Sequence, residues 1–245
     1  MYTTRLNSIT EVGKLVSSRN QVLIKRKYKN EDQKTEAGIL VVADTSFRPA
    51  LHADRIAEVI LVPDSLYYHS KEMNYGPEPM PWLCDLEIKP GDTVVHTFME
   101  RDDIVNIEVD DEPGELYRLM PYDDIYVARR GEEIIPLNGY NLCEEVDKPK
   151  ISKLLDLVHE EPVDRMIGKV VHAAKPNREY RLWNRATKRW YGKDLDGEAM
   201  LSPGDIIIKR RGDIHIRLEE DIHARFFDSE VMYFIIQQKD IMAIR

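Results

Sequence analysis

Two clusters of side chains in the sequence have the composition of a metal site. His215 and His223 lie close together in the chain, but the alternation of polar and apolar residues over 213–218 predicts a strand with His215 on its polar face. The acidic run 110–112 could hold calcium, but the Pro-Gly pair at 113–114 is typical of a hairpin turn. We therefore expect no metal site at either place.

Other residue types that could carry catalysis are few. The sequence has no glycine-rich phosphate loop, no nucleophile elbow and no His-rich helix. Cys84 and Cys143 lie far apart without a metal-ligand motif, so they predict neither a disulfide framework nor a zinc site. We expect a protein that is not an enzyme, binds no cofactor and resides in the reducing cytoplasm.

One segment, residues 178–191, interleaves cations with aromatic side chains. This composition can bind single-stranded nucleic acid through phosphate pairing and base stacking. The alternative is an amphipathic hairpin in which Trp183 and Trp190 pack and the arginines are solvated. The formal net charge of −9 favours the hairpin and makes a nucleic-acid partner unlikely.

The elements that must position these residues are short. The chain has 245 residues, enough for one large β domain or two domains of ordinary size. No apolar run approaches the roughly 20 residues that span a bilayer, so we expect no membrane segment. The N-terminus lacks the apolar region of a secretory signal. Residues 9–16 have helix-like apolar spacing interrupted by Gly13, which indicates a short helix or an irregular arm without an assigned function.

A Pro-Gly-Asp turn occurs twice, at residues 90–92 and 203–205, and each turn precedes a β-branched run. Proline presets φ at the second position of such a turn, glycine supplies the positive φ after it, and the β-branched residues favour a buried strand. Landmarks around the two turns recur at nearly the same interval: Leu23 with Leu142, and Asp124 with Asp240. This spacing indicates a tandem duplication with loops of different length.

The sequence therefore predicts an all-β fold of two tandem domains. The first covers residues 1–130, with a core of about 20–128, and the second, more diverged, covers residues 131–245. Short strands with turns between them and few helical windows are typical of small β-barrels.

Four segments of the first half resemble the GroES-type co-chaperonins in type and order: residues 22–27, 34–41, 88–95 and 115–125. The likeness spans about residues 20–128, and residues 136–244 match more weakly. Two tandem copies resemble the plastid double co-chaperonins. The resemblance implies two GroES-like barrels, with residues 64–85 and 175–198 in the place of the roof hairpin as long roof-type loops.

The resemblance also implies a function and a partner. A GroES-type protein forms an oligomeric, ring-shaped lid on a GroEL-type chaperonin, which binds the ATP, and docks through a mobile loop with an apolar tip. In this sequence the chaperonin-binding residues would be Gly38, Ile39, Leu40 and Val41. The local pattern alone leaves open a simpler interpretation, in which residues 39–42 are the next core strand.

The corresponding loop of the second half, residues 145–158, contains no glycine. It is either a second docking tip or a turn of helix, and the residues concerned are Leu154, Leu155, Leu157 and Val158. Two alternative functions remain for the whole chain: a structural or assembly protein, including one of viral origin, that reuses the barrel as a scaffold, and a nucleic-acid-binding module acting through residues 178–191.

Overall fold

The computed structural model describes residues 2–12, 14–15, 20–27, 33–34, 40–41, 54–68, 80–97, 104–147, 163–184, 186–194, 200–209, 216–218, 220–229 and 231–244. Over these residues the protein is mostly β-structure with a few short helical segments, which confirms the all-β prediction. None of these helices is long and apolar enough to cross a membrane.

The elements of the first half, residues 1–130, and of the hairpin that leaves it are, in chain order, β1 (Tyr2–Leu6), α1 (Ile9–Val12), β2 (Gln21–Lys27), β3 (Gln33–Lys34), β4 (Leu40–Val41), β5 (Ile56–Leu61), β6 (Trp82–Leu83), β7 (Thr93–His96), β8 (Val105–Val109), β9 (Glu115–Pro121), a 3-10 helix (Tyr122–Asp124), β10 (Ile125–Arg130) and β11 (Glu133–Pro136). Eight of the strands form one sheet in the order β1-β8-β9-β2-β5-β7-β10-β11. The predicted domain boundary at residue 130 falls between β10 and β11, and β11 belongs to this first sheet.

The second half, residues 131–245, continues with β12 (Tyr140–Asp147), β13 (Val163–His172), β14 (Glu179–Asn184), β15 (Arg189–Asp194), β16 (Ile206–Lys209), β17 (Ile216–Arg217), α2 (Glu220–Ile222), a π-helix (His223–Phe227), β18 (Tyr233–Gln237), a 3-10 helix (Gln238–Asp240) and β19 (Ile241–Ile244). Six of its strands form a second sheet in the order β17-β18-β12-β13-β16-β19.

The two sheets repeat one topology. The order β8-β9-β2-β5-β7-β10 in the first sheet corresponds strand by strand to β17-β18-β12-β13-β16-β19 in the second. Register irregularities recur too: β2 shifts against β5 between Leu23 and Ile24, and β12 shifts against β13 between Leu142 and Cys143. In the described part of the chain neither sheet closes into a barrel, so the prediction of two barrels is not confirmed in that form.

The two Pro-Gly-Asp turns are built alike. Gly91 and Gly204 have φ of +90° and +98°, the left-handed region that favours glycine. The side chains of Asp92 and Asp205 each accept a hydrogen bond from the backbone N–H three residues earlier, at 2.8 Å in both turns. The repeat that the sequence shows is therefore present in the backbone conformation.

Strand β2 explains how the first sheet packs on both sides. Alternate residues of a strand point to opposite faces. Val22 and Ile24 lie in the larger apolar core of the first half, together with Val94 and Ile125. Leu23, between them, lies in a separate cluster on the other face. A run of apolar residues in one strand thus serves two packing layers.

The halves are joined by a continuous apolar junction. Val95, Tyr126 and Val127 of the first half share a buried cluster with Leu142 and Phe226 of the second half. In addition, β6 pairs with β14, so a three-stranded sheet β15-β14-β6 combines strands from both halves.

Asn138, in the turn between β11 and β12, stabilises this junction through buried hydrogen bonds. It is buried and adopts φ +57°. Its side-chain Nδ2 donates to Tyr122 O at 2.8 Å and Ile125 O at 2.9 Å, and its Oδ1 accepts from Trp82 Nε1 at 3.3 Å. Because the partners belong to the first half, the turn is tied to the sheet from which the chain departs.

Candidate functional site

The connection between β2 and β5, residues 28–55, contains the predicted docking tip. β2 and β5 are antiparallel neighbours in the first sheet. Within the connection, β3 and β4 form a two-stranded ladder of their own, with Gln33 opposite Val41 and Lys34 opposite Leu40. Leu40 and Val41 therefore lie in a strand that belongs to neither main sheet, contrary to the interpretation as a core strand. Gly38 and Ile39 lie outside the described residues.

Backbone and side-chain contacts of Asp54 close the base of the connection. Its N–H donates to Lys27 O at 2.9 Å, across the two ends of the connection. Its side-chain Oδ1 accepts from Ile56 N at 3.0 Å, and its Oδ2 forms an ion pair with Arg225 of the π-helix. The first-half connection is thus anchored to the second half at its base.

A buried basic cluster lies beneath this base, formed by Arg26, Arg55, Arg118 and His96, all under a tenth exposed. Arg55 Nε donates to His96 O at 3.1 Å. Arg118 Nε donates to Asn106 Oδ1 at 3.0 Å. Arg55 thus links the residue before β5 to β7, and Arg118 links β9 to β8, next to the point where the connection leaves the sheet.

Within this cluster, the surroundings of His96 disfavour its protonated form. Its Nδ1–H donates to Thr97 O at 2.6 Å. Burial, followed by the charges of Arg26 and Arg118, lowers the pKa of His96 well below its ordinary value. The imidazole is therefore neutral at physiological pH, and the positive charge of the cluster resides on its arginines.

The sequence analysis did not identify this cluster. Residues 25–27 are Lys-Arg-Lys, a run that looks like a solvated basic end of a strand. The signal that could have identified it is the strand alternation, since Arg26 falls on the same face as the buried Ile24 and Val22. An arginine on the apolar face of a strand predicts that groups able to accept its hydrogen bonds are buried nearby.

The acidic turn at residues 110–114 lies beside the same base, because Glu115 pairs with Lys27. It joins the antiparallel strands β8 and β9, as predicted. Glu112 accepts a hydrogen bond from Tyr117 Oη at 2.6 Å and an ion pair from Lys25 Nζ at 2.9 Å. These two contacts, Tyr117 first, lower the pKa of Glu112. Glu112, which belongs to the acidic run considered as an alternative calcium site, is thus engaged by two protein groups.

The second-half connection, residues 148–162, joins β12 and β13, the strands that correspond to β2 and β5. All four predicted residues of the second tip, Leu154, Leu155, Leu157 and Val158, lie outside the described residues. The connection thus occupies the equivalent place in the topology, and the choice between a docking tip and a turn of helix stays a prediction.

The cation-rich segment forms the predicted hairpin. β14 and β15 are antiparallel, with Trp183 directly opposite Trp190. Arg178, at its start, forms an ion pair with Asp85 of the first half, with 2.9 Å between Nη2 and Oδ1. Tyr180 pairs with Trp82 in β6. The hairpin therefore takes part in the contact between the halves.

His223 is part of the packing in the second half. It is buried, and its Nε2 accepts a hydrogen bond from Tyr233 N at 2.6 Å. His215 lies outside the described residues. Within the described ranges, no group of three or more His, Cys, Asp or Glu side chains is placed to hold a metal ion.

Comparison with known proteins gives no match: no family model, no curated protein and no solved structure is similar to this chain. Its function must therefore be inferred from the repeated strand order, the turns and the connections themselves.

Proposed function

We propose that this chain is a tandem co-chaperonin of the GroES type, which forms an oligomeric lid on a GroEL-type chaperonin in the cytoplasm. The observation that carries the proposal is the position of the docking segment. In both sheets the same pair of antiparallel neighbours is joined by a long connection, and in the first half Leu40 and Val41 in this connection lie outside the main sheets.

The docking mechanism follows from a short apolar tip on a polar connection. Burying two side chains such as Ile39 and Leu40 contributes about 1.5–3 kcal/mol each. Ordering the segment on the partner costs about 2–5 kcal/mol, so one connection binds weakly and reversibly. Several copies on one lid bind together, and linkage of this kind can raise affinity by about 10²–10⁴. The lid can then be released when the chaperonin changes its nucleotide state.

The anchored base supports this mechanism. A docked segment holds the lid in a defined position only if both ends of the segment are fixed to the lid. Here Asp54 holds both ends together through Lys27 O and ties them to Arg225 in the second half. The segment between is then the part of the first half that adapts to the chaperonin, while the sheets behind it carry the shape of the lid.

The test is nucleotide-dependent capture of the purified chain by a GroEL-type ring. The Ile39→Asp/Leu40→Asp variant should lose capture, because the tip would have to bury two carboxylates. A matched variant, Met200→Asp/Val231→Asp, adds the same charges at positions 73% and 44% exposed and should be captured like the parent chain.

The pair Leu154→Asp/Leu155→Asp reports on the second connection in the same assay. A partial loss means that both connections dock, and full capture means that only the first does. Unchanged capture of Ile39→Asp/Leu40→Asp contradicts the docking site. Absence of capture by the parent chain contradicts the co-chaperonin function and leaves the assembly-protein alternative.

A further inference from the structure

One face of the first half is buried only because the second half covers it. This covered face consists of Val95 on β7 with Tyr126 and Val127 on β10. Tyr126 is 6% exposed, and the other two are at or below 1%. Phe226 of the π-helix packs on it and accepts a hydrogen bond at its backbone oxygen from Arg129 Nη1 at 2.9 Å.

The second half has an equivalent face that no described residue of the chain buries. Strands β7 and β10 pair Val95 with Val127, and strands β16 and β19 pair Ile208 with Ala243 in the corresponding register. Met242 then stands where Tyr126 stands in the first half. We call Ile208, Met242 and Ala243 the open face, since Ile208 is 42% and Met242 69% exposed and Ala243 is exposed as well.

The edge of the sheet shows the same difference. In the first sheet β10 is covered along its outer edge by β11. In the second sheet β19 is the last strand of the order within the described residues. An apolar strand at an exposed edge is a site for pairing with another chain.

The surface that covers the first half also has a counterpart. In the second half Leu142, Tyr233 and Ile235 pack against the covered face. By register with β12 and β18, the equivalent residues of β2 and β9 in the first half are Leu23, Tyr117 and Leu119. We call these three the receiving face.

The receiving face is occupied by the N-terminal arm, which we define as β1, α1 and the following residues to Leu15. Val12 is buried in the cluster that contains Leu23 and Tyr117, and Leu6 and Leu15 pack at its margin. The arm adds β1 parallel to β8 at the edge of the sheet. Its side-chain ion pairs are exposed, with Arg5 Nη2 3.0 Å from Glu108 Oε2 and Arg5 Nε 3.6 Å from Asp110 Oδ1.

We propose that the open face of one chain binds the receiving face of a second copy, and that the N-terminal arm is the intramolecular competitor for this site. The contact would repeat between chains the β-sheet part of the junction that joins the halves within a chain. Phe226 of the π-helix has no counterpart on the receiving face, because β8 and β9 are joined by the short turn at residues 110–114. Because donor and acceptor surfaces differ, the association is head-to-tail and can propagate into a ring. The arm is held by Val12, by the partly buried Leu6 and Leu15 and by an edge strand, and an element with few buried contacts opens at a low free energy.

This inference concerns the assembly of the lid and deepens the proposed function. Its test uses the protein without a chaperonin, so its outcome is separate from capture. The mass of the full chain, 28.6 kDa as a monomer, is compared by light scattering with that of a variant lacking residues 2–15. We expect the shortened chain to associate at concentrations at least tenfold below those the full chain requires.

Two additions make the test specific. Ile208→Asp/Met242→Asp in the shortened chain should restore the monomer, and a synthetic peptide of residues 2–15 should dissociate the unmodified shortened chain. Val12→Ser in the full chain weakens the packing of the arm without deleting a strand. This variant should also associate at lower concentrations than the full chain. It tests the proposal even where the shortened chain does not fold. Equal masses of the full, shortened and Val12→Ser chains overturn the proposal, as does association of the shortened chain that Ile208→Asp/Met242→Asp leaves unchanged.

Discussion

Replacing Asn138 by alanine should lower the free energy of unfolding, because the hydrogen bonds of this side chain hold the turn between β11 and β12 to the first half. The substitution removes the hydrogen bonds to Tyr122 O and Ile125 O and the acceptor for Trp82 Nε1. It also places alanine at φ +57°, a conformation that asparagine tolerates better.

The magnitude follows from these two effects. A buried donor or acceptor left without a partner costs about 1–3 kcal/mol. Ile125 O and Trp82 Nε1 lose their Asn138 partner, whereas Tyr122 O still accepts a hydrogen bond from Ile125 N. The left-handed backbone adds about 1 kcal/mol. With partial relaxation around the two groups, we expect Asn138→Ala to lower the free energy of unfolding by about 3–5 kcal/mol.

Asp228 supplies the matched control. It is exposed and adopts φ +51°, so Asp228→Ala retains the backbone cost and lacks the buried hydrogen bonds. Urea unfolding followed by tryptophan fluorescence and far-UV circular dichroism gives both free energies. We expect a loss of about 1 kcal/mol for Asp228→Ala. A loss for Asn138→Ala no larger than that of the control would refute the role of Asn138 in the junction.

Two further predictions concern the core and the buried histidine. A Cβ added at Gly168 would lie 2.5 Å from Phe234 Cζ, so Gly168→Ala should destabilise the fold by about 1–3 kcal/mol in urea unfolding; an unchanged midpoint would contradict this packing. Since the pKa of His96 is lowered in the folded protein, the unfolded chain binds more protons below about pH 6.5, and stability should fall on acidification from that pH down to the folded pKa, by up to about 1.4 kcal/mol per pH unit. His96→Gln should flatten this part of the profile in urea midpoints measured from pH 7.5 to 5, and an identical profile for parent and variant would exclude His96 as its cause.

The parts of the fold that the sequence predicted correctly depend on local chemistry. The Pro-Gly-Asp turns are specified by three adjacent residues, and the strands after them by β-branched runs. The hairpin at residues 178–191 is likewise local, because only four residues separate its two strands. For such segments the residues that determine the structure are neighbours in the chain.

The parts that were not predicted depend on contacts between distant residues. The pairing of β6 with β14 and of β1 with β8 joins segments far apart in sequence, and no local pattern specifies the partner. The burial of Arg26 depends on what the opposite strands place near it. In the described part of the chain the sheets do not close into the expected barrels, and closure too depends on distant contacts, because it is set by the pairing of first and last strands.

The same distinction between local patterns and contacts of distant residues applies to the candidate site. The apolar tip could be recognised from Gly38 to Val41 because apolar residues follow a long polar run. Its base could not, since Asp54 meets Arg225 across the two halves. The proposed docking segment was inferred from composition alone, whereas the contact between Asp54 and Arg225 requires the folded chain.

The most direct measurement of the proposed function is electron microscopy of the purified chain mixed with a GroEL-type chaperonin, with and without ATP. The proposal predicts that, with ATP only, added density closes one end of the chaperonin and contacts its apical domains through residues 38–41. Chaperonin ends that stay open at saturating concentrations of the chain, with and without ATP, would contradict it.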